Sequence, residues 1–394
     1  MRKRLILLAC AGLLVFGCRS NAPTQIGAVL PLTGEADYYG NSIEQGVELA
    51  YTQIQADANF PHKIVLKTVD SKSDPERAHR ELQRLYGDGA LAVIGGVTSA
   101  EALAMIPVAD KYDRVLLSPS ASSPELTGIS TNFFRVFPSD FLGGTKMGNF
   151  ATQTLNLKTA VILAKKETYA KGVQQIFKTE FERQGGKILE TIDYPPGTSD
   201  FTGVVERVLK LAPDGVYLAG FAHDIAAMIT GLRGAGYKGI LMTTDAFAAP
   251  KIIEETGAAA NGIYLTQTVF DAEGSDPNVK GFVDAFKAQH LNEAPNLYTA
   301  QGYDAMMVIG QAIKEGGAST TDFWKGMRSI RAFPGVTGSI QFDEKGDVQK
   351  FPRVYVIVKG RLVDYDTEVT ARRRELMERL RKLKERSAKP RSGD

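Results

Sequence analysis

The sequence predicts an α/β protein made of two doubly wound parallel-sheet lobes, and three observations carry that prediction. Strand-length runs such as LAVIGG from Leu91 and TAVILAKK from Thr159 are apolar almost throughout, as strands are when helices cover both faces of their sheet. Stretches of about 10 to 18 residues with helical spacing separate those runs. About ten such strands in 394 residues are more than one open sheet holds comfortably, so two sheets fit better than one. A single closed eight-fold barrel is the structural alternative.

The first strand, IGAVLPL from Ile26, gives way to helical spacing at Ile43, Val47, Leu49, Ala50 and Ile54. KIVLKTVD from Lys63 and LAVIGG from Leu91 follow, the second stopping at the paired Gly95 and Gly96. Another helical stripe, Ala104, Pro107, Val108 and Tyr112, leads into RVLLSPS from Arg114, and a Ser-rich loop leads into FFRVFPS from Phe133. TAVILAKK from Thr159, KILETIDY from Lys187, GVYLAG from Gly215, GILMTTDA from Gly239 and GIYLTQTVF from Gly262 repeat the pattern. Two successive helical patterns at 298–315 and 321–331 then argue against the barrel. A hairpin-like pair follows, GSIQFDEKGD from Gly338 and FPRVYVIVKGRLV from Phe351, expected to be joined by a turn at 343–347.

Composition excludes several classes. With 43% hydrophobic and 23% charged residues and 2 cysteines, the chain is neither disordered nor a disulfide scaffold. The formal charge of +2 hides two basic ends, Arg2, Lys3 and Arg4 at the front and a run of Arg and Lys after Asp366. The body between them is mildly acidic and offers no Lys/Arg face for nucleic acid. The basic start, the apolar run from Leu5 to Phe16 and the small residues before Cys18 predict a secretory signal at 1–17, too short to span a bilayer as a mature helix. Val15, Phe16, Gly17 and Cys18 resemble a bacterial lipobox, which would acylate Cys18; the alternative is a plain signal peptide containing a cysteine. Cys10 would leave with the signal, so Cys18 has no partner for a disulfide. The last segment, 367–394, places Leu376, Leu380 and Leu383 on one stripe amid charge, and reads as a solvated helix that frays or as a contact for an anionic surface or acidic partner.

Enzyme signatures are missing from the sequence. His62, His79, His223 and His290 share no metal-ligand spacing, and neither a G-x-S-x-G elbow nor a P-loop occurs. The G-x-G-x-x-G of Gly234, Gly236 and Gly239 follows a helix and precedes a strand, the reverse of a dinucleotide site, and reads as a helix end and turn. No metal or cofactor is expected. Polar loops at strand C-termini remain, where open α/β sheets bind ligands. After Gly95 and Gly96, Ser99 stands at a helix start, where it either binds an anion or caps its own helix. In SPSASSPELT, Ser120 and Ser122 offer donors and acceptors, while Ser122 or Ser123 could instead cap the turn at Pro124. Asp245 ends the strand LMTTDA, either as a partner for a cation or as an ordinary loop aspartate.

Together these stretches resemble the Leu/Ile/Val-binding protein family, the type I periplasmic solute-binding proteins of ABC amino-acid transporters. The resemblance runs from about Gln25 to Val363 through IGAVLPLTGEADYYG, DSKSDPERA, VIGGVTSAEALA, LLSPSASSPELT, FFRVFPSD, TSDFTGVVERV, PDGVYLAG, the Asp245 strand end and FDEKGD. It implies that Ser99 holds a ligand α-carboxylate and that Ser122, the backbone of Ser120 and Asp245 hold the α-ammonium. Tyr39, Tyr169 and Phe221 would close over the ligand. Phe221 stands where the family often has tyrosine, and YAKG replaces the more usual YG-type turn at Tyr169, which leaves the amino-acid frame intact and alters the side-chain pocket.

The resemblance further implies the type I periplasmic binding protein fold with a three-strand hinge near Ser139, Thr268 and Val336. The expected division is a signal peptide at 1–17, an acylated linker at 18–24, one lobe at 25–138 and 268–336, a second at 139–267 and 337–366, and the tail. The expected function is an extracytoplasmic receptor, monomeric and lipid-anchored in a bacterial envelope, that delivers a branched-chain or other apolar amino acid to an ABC permease. An envelope lipoprotein of the same fold acting as sensor or interaction regulator is the alternative.

Overall fold

The computed structural model describes residues 22–388. The expected signal peptide, Cys18 and the last residues of the tail lie outside the described residues. The first sheet holds β1 (Thr24–Leu30), β2 (Ile64–Asp70), β3 (Ala92–Gly95), β4 (Val115–Ser118) and β5 (Phe133–Arg135), all parallel, in the order β2-β1-β3-β4-β5. Between its strands run α1 (Asp37–Ala56), α2 (Pro75–Gly87) and α3 (Ser99–Tyr112). One face of the sheet packs Val93 and Leu116 against Leu82, Leu85 and Met105; the other packs Ile26 and Ile94 with Ile43 and Val47. Burial on both faces is why β1, β3, β4 and β5 read as continuous apolar runs, whereas the edge strand β2 is only partly buried.

The second sheet begins after α4 (Asp140–Asn149) with β6 (Thr159–Lys165). The chain continues through α5 (Thr168–Arg183), β7 (Lys187–Tyr194), α6 (Thr202–Leu211), β8 (Gly215–Ala219), α7 (Ala222–Gly234), β9 (Ile240–Thr244), α8 (Pro250–Thr256) and β10 (Tyr264–Gln267). It then returns to the first lobe for α9 (Pro277–Gln289), α10 (Leu297–Glu315), α11 (Thr320–Ser329) and the short antiparallel pair β11 (Phe333–Gly335) and β12 (Gly338–Ile340). Helices α1 and α10 cross with their backbones nearly touching, because both carry glycine there. A Cβ on Gly46 would lie 1.9 Å from the Thr299 carbonyl oxygen, and one on Gly302 would lie 2.2 Å from that of Ile43. Finally β13 (Arg353–Val358) and β14 (Arg361–Asp364) complete the second sheet in the order β14-β13-β10-β9-β8-β6-β7, and α12 (Tyr365–Ala388) leaves the body.

Two expectations are corrected here. The sequence reading places residues 337–350 in the second lobe, with the third crossover near Val336; the structure seats them on the first. Arg135 of β5 donates to both carboxylate oxygens of Asp347, at 2.7 and 2.8 Å, and the Phe342 ring meets Phe134 at 5.2 Å. The crossover therefore falls at 351–352, where Phe351 is exposed. The expected hairpin is also not a pair. The turn at 343–347 closes only a bridge between Phe342 and Val348, whereas β13 lies between β10 and β14, both antiparallel to it. A strand buried along most of its length needs two neighbours, and the local pattern did not say which.

Candidate ligand-binding site

Each sheet reverses its strand order once, between β1 and β3 in the first and between β6 and β8 in the second. Ligands bind outside the carboxyl ends of strands at such reversals, and here the two reversals face each other across one cleft. The cavity between them is lined by Tyr39, Val97, Thr98, Ser99, Ser120, Ala121, Ser122 and Phe137 from the first lobe, and by Tyr169, Phe221, Asp245 and Ala246 from the second, with Tyr298 from α10. All seven residues singled out in the sequence thus line a single space. It measures ≈ 40 Å³ as room for the centre of a water-sized sphere, roughly three to four times what one water needs.

On the first lobe, neighbours set the polarity of each hydroxyl. Thr98, not Ser99, caps α3: its side chain accepts from Glu101 N at 3.2 Å while Glu101 answers on the Thr98 N–H. Ser99 is thereby released from capping. Its Oγ accepts from Ser123 N at 3.2 Å, so its own proton is free to donate into the cavity. Ser122 is arranged the other way round: its Oγ donates to Asp140 Oδ2 at 2.6 Å, which leaves lone pairs to accept. Ser120 Oγ donates to Val97 O at 2.7 Å, and its N–H donates to Ser118 Oγ at 3.4 Å. Ser123, rather than Ser122, caps the turn at Pro124. A hydroxyl left to donate and a hydroxyl left to accept therefore stand side by side on one loop pair.

On the second lobe, Asp245 opens a short 3-10 turn after β9, with only 8% of its surface exposed. Burial first, and then the charge of Asp140, hold its carboxyl well above the usual carboxylate range, and only backbone N–H groups oppose that. The aromatic walls are fixed by their hydroxyls. Tyr39 donates to Ala246 O at 3.0 Å and accepts from Ala222 N at 2.9 Å, so it ties the first lobe to the second. Tyr169 bonds Thr244, and its ring stacks parallel to Phe221 at 6.4 Å. Behind Phe221, Lys165 Nζ lies 4.6 Å from the ring centre and pairs with Asp224 at 3.0 Å and, across the cleft, with Glu35 at 2.8 Å. Glu35 also accepts from Gly197 N at 2.7 Å. The lobes are thus closed on one another.

Sequence reasoning missed Tyr298, Phe137 and Asp140. Tyr298 donates to Asp245 O at 3.4 Å, packs 4.7 Å from Tyr39 and stacks on Phe137. An aromatic at the start of a long helix carries no mark separating it from a core residue. Asp140 closes the FFRVFPSD stretch, and as the first residue of α4 it carries no local mark separating it from an ordinary helix-start acid.

Comparisons with known proteins agree with this architecture. A family model described as periplasmic binding protein matches residues 23–359. The leucine-, isoleucine-, valine-, threonine-, and alanine-binding protein of Pseudomonas aeruginosa is 27% identical over 353 residues, covering 88% of this chain and 93% of its own length. A leucine binding protein from Thermotoga maritima superposes with a TM-score of 0.80 at 27% identity, over 87% of this chain and 99% of that one. A branched-chain amino acid transporter substrate binding protein from Streptococcus pneumoniae, solved in complex with isoleucine, reaches 0.81 at 24% identity over 86% and 98%, a likeness of fold.

Proposed function

The chain belongs to the periplasmic binding protein family, and within it we propose that this protein binds a free amino acid with an apolar side chain and presents it, as a monomer, to an ABC permease. A member of this family is an extracytoplasmic binding protein and not an enzyme. One observation carries the reading: a hydroxyl poised to donate, Ser99, and an acceptor set, Ser122 with Asp245, line one small cavity. A zwitterion needs those two sites a few ångströms apart and out of water. Burial makes them selective, since a ligand lacking one charge leaves a protein group unpaired. The apolar walls of Val97, Phe137, Phe221 and Tyr298 suit an apolar side chain. A relative named for leucine, isoleucine, valine, threonine and alanine, four of them apolar, supports the same reading. No helix among the described residues is long and apolar enough to cross a membrane, and acylation at Cys18 would supply the anchor.

The test is thermal unfolding of residues 19–394 with each standard amino acid, after unfolding and refolding to remove carried-over ligand. An amino acid at a hundred times its dissociation constant adds about 2.7 kcal/mol and raises Tm by a few degrees. Stabilisation by one chemical group of amino acids, and not by their amides or decarboxylated amines, is expected. A flat response across the panel would remove the amino-acid assignment and favour an interaction regulator of the same fold.

A further inference from the structure

Asp140 is the first residue of α4, where the chain passes from the first lobe to the second, and it grips Ser122 twice. Its carboxylate accepts from Ser122 Oγ at 2.6 Å, and its N–H donates to Ser122 O at 2.9 Å. Asp140 does not line the ligand cavity. It lines a second space of ≈ 20 Å³ together with Thr244, Asp245, Thr266 and Thr268, and Asp245 borders both. Asp140 and Asp245 are each 8% exposed. The Thr268 hydroxyl, in a residue 2% exposed, has no hydrogen-bond partner.

No cation neutralises this carboxylate pair among the described residues. Arg135, whose charge reaches Asp140, is committed to Asp347. The other titratable groups coupled to the pair are acidic or phenolic: Glu167 adds negative charge to Asp140, and burial, then the charges of Asp140 and Asp245, raise the phenols of Tyr169, Tyr217 and Tyr298. Two buried carboxylates in one space do not both ionise without a cation. Burial pushes Asp140 up to about 7, and burial, then the charge of Asp140, raise Asp245 well above the usual carboxylate range.

We propose that Asp140 is the positioning residue of the ammonium site, turning the Ser122 lone pairs toward the ligand and sharing with Asp245 one proton that leaves as the ligand's ammonium arrives. The step balances simply. The carboxylic O–H breaks, its electron pair stays on oxygen, the proton passes to solvent, and the ammonium replaces it as the charge beside Asp245. Binding is therefore coupled to proton release, and the site is specific for a cationic nitrogen because only a cation displaces the proton.

This rests on the amino-acid assignment above, so the experiment separates the two. L-leucine and L-alanine are titrated calorimetrically into the wild type at pH 6.5 in two buffers of different ionisation enthalpy, and into Asp140→Asn, Ser122→Ala and the double variant. Expected are about one proton released per amino acid bound by the wild type and clearly less release by Asp140→Asn. Asp140→Asn is expected to bind about tenfold more weakly, with a double variant no weaker than Ser122→Ala alone. Binding without proton release by the wild type, unchanged release by Asp140→Asn, or additive losses would overturn the proposal alone. No binding of either amino acid by the wild type would overturn the amino-acid assignment and the proposal with it. If Asp140→Asn does not fold, the wild-type proton count decides.

Discussion

On the first-lobe face of the cleft every serine already has a partner. Ser99 accepts from Ser123, Ser120 donates to Val97 and Ser122 donates to Asp140. On the second-lobe face Asp245 sits buried with backbone N–H groups alone to oppose its charge. The first face is finished before any ligand arrives and needs no closure to present a donor and an acceptor. On the proposed reading, the second face is complete only with the ligand's ammonium against it. A ligand that docks on the first lobe thus gains its remaining contact when the second lobe closes, which is the differential contact a closure equilibrium requires.

The sharpest way to break this contrast is Asp245→Asn, which keeps the shape and removes the charge. It is expected to weaken amino-acid binding by about 100-fold, on the order of 2.7 kcal/mol, in calorimetric titration. An unchanged Kd would take Asp245 out of the site. Ser99→Ala removes one charge-assisted donor from the finished face, and about a tenfold loss is expected.

The acidic second face also sets a pH dependence. Burial holds Asp140 above its ordinary 3.8, at about 7. A carboxyl raised in the folded state stabilises the fold fully below its unfolded value, and that stabilisation is lost as pH rises through the folded one. The ligand-free protein should therefore lose stability, read as a falling Tm, between pH 4 and pH 7.5, with Asp140→Asn flattening the slope. A Tm rising over that window in the wild type would contradict this. Glu35→Ala cuts the cross-cleft contact to Lys165 and Gly197. Glu35 is 44% exposed, so water screens the pair, and an affinity loss of no more than about threefold is expected, read as a faster off-rate.

Much of the fold and about half of the site were legible in the sequence, for separable reasons. LAVIGG and VYLAG are buried on both faces and so carry a strand signal independent of their partners. Ser99, Ser122 and Asp245 end or follow such strands, and the strand signal located them. Tyr298 and Phe137 reach the cavity from a helix start and a strand exit that share no local motif, and aromatic residues there look like core. The placement of 337–350 depended on Arg135 meeting Asp347 across 212 residues, a contact no local pattern encodes. The roles of Ser99 and Ser122 depended on which neighbour took each hydroxyl. Thr98 and Asp140 settle that, and neither choice can be read from a Ser-rich run.

The most direct test of the division between the two faces is to titrate L-leucine and its deaminated analogue, 4-methylpentanoate, into the wild type and Asp245→Asn. The first face should still read the carboxylate in the variant, so the wild-type preference for the amino acid over the plain acid should collapse to within about tenfold. A preference retained in full by Asp245→Asn would mean that the ammonium is recognised elsewhere, and the assignment of the second face would be wrong.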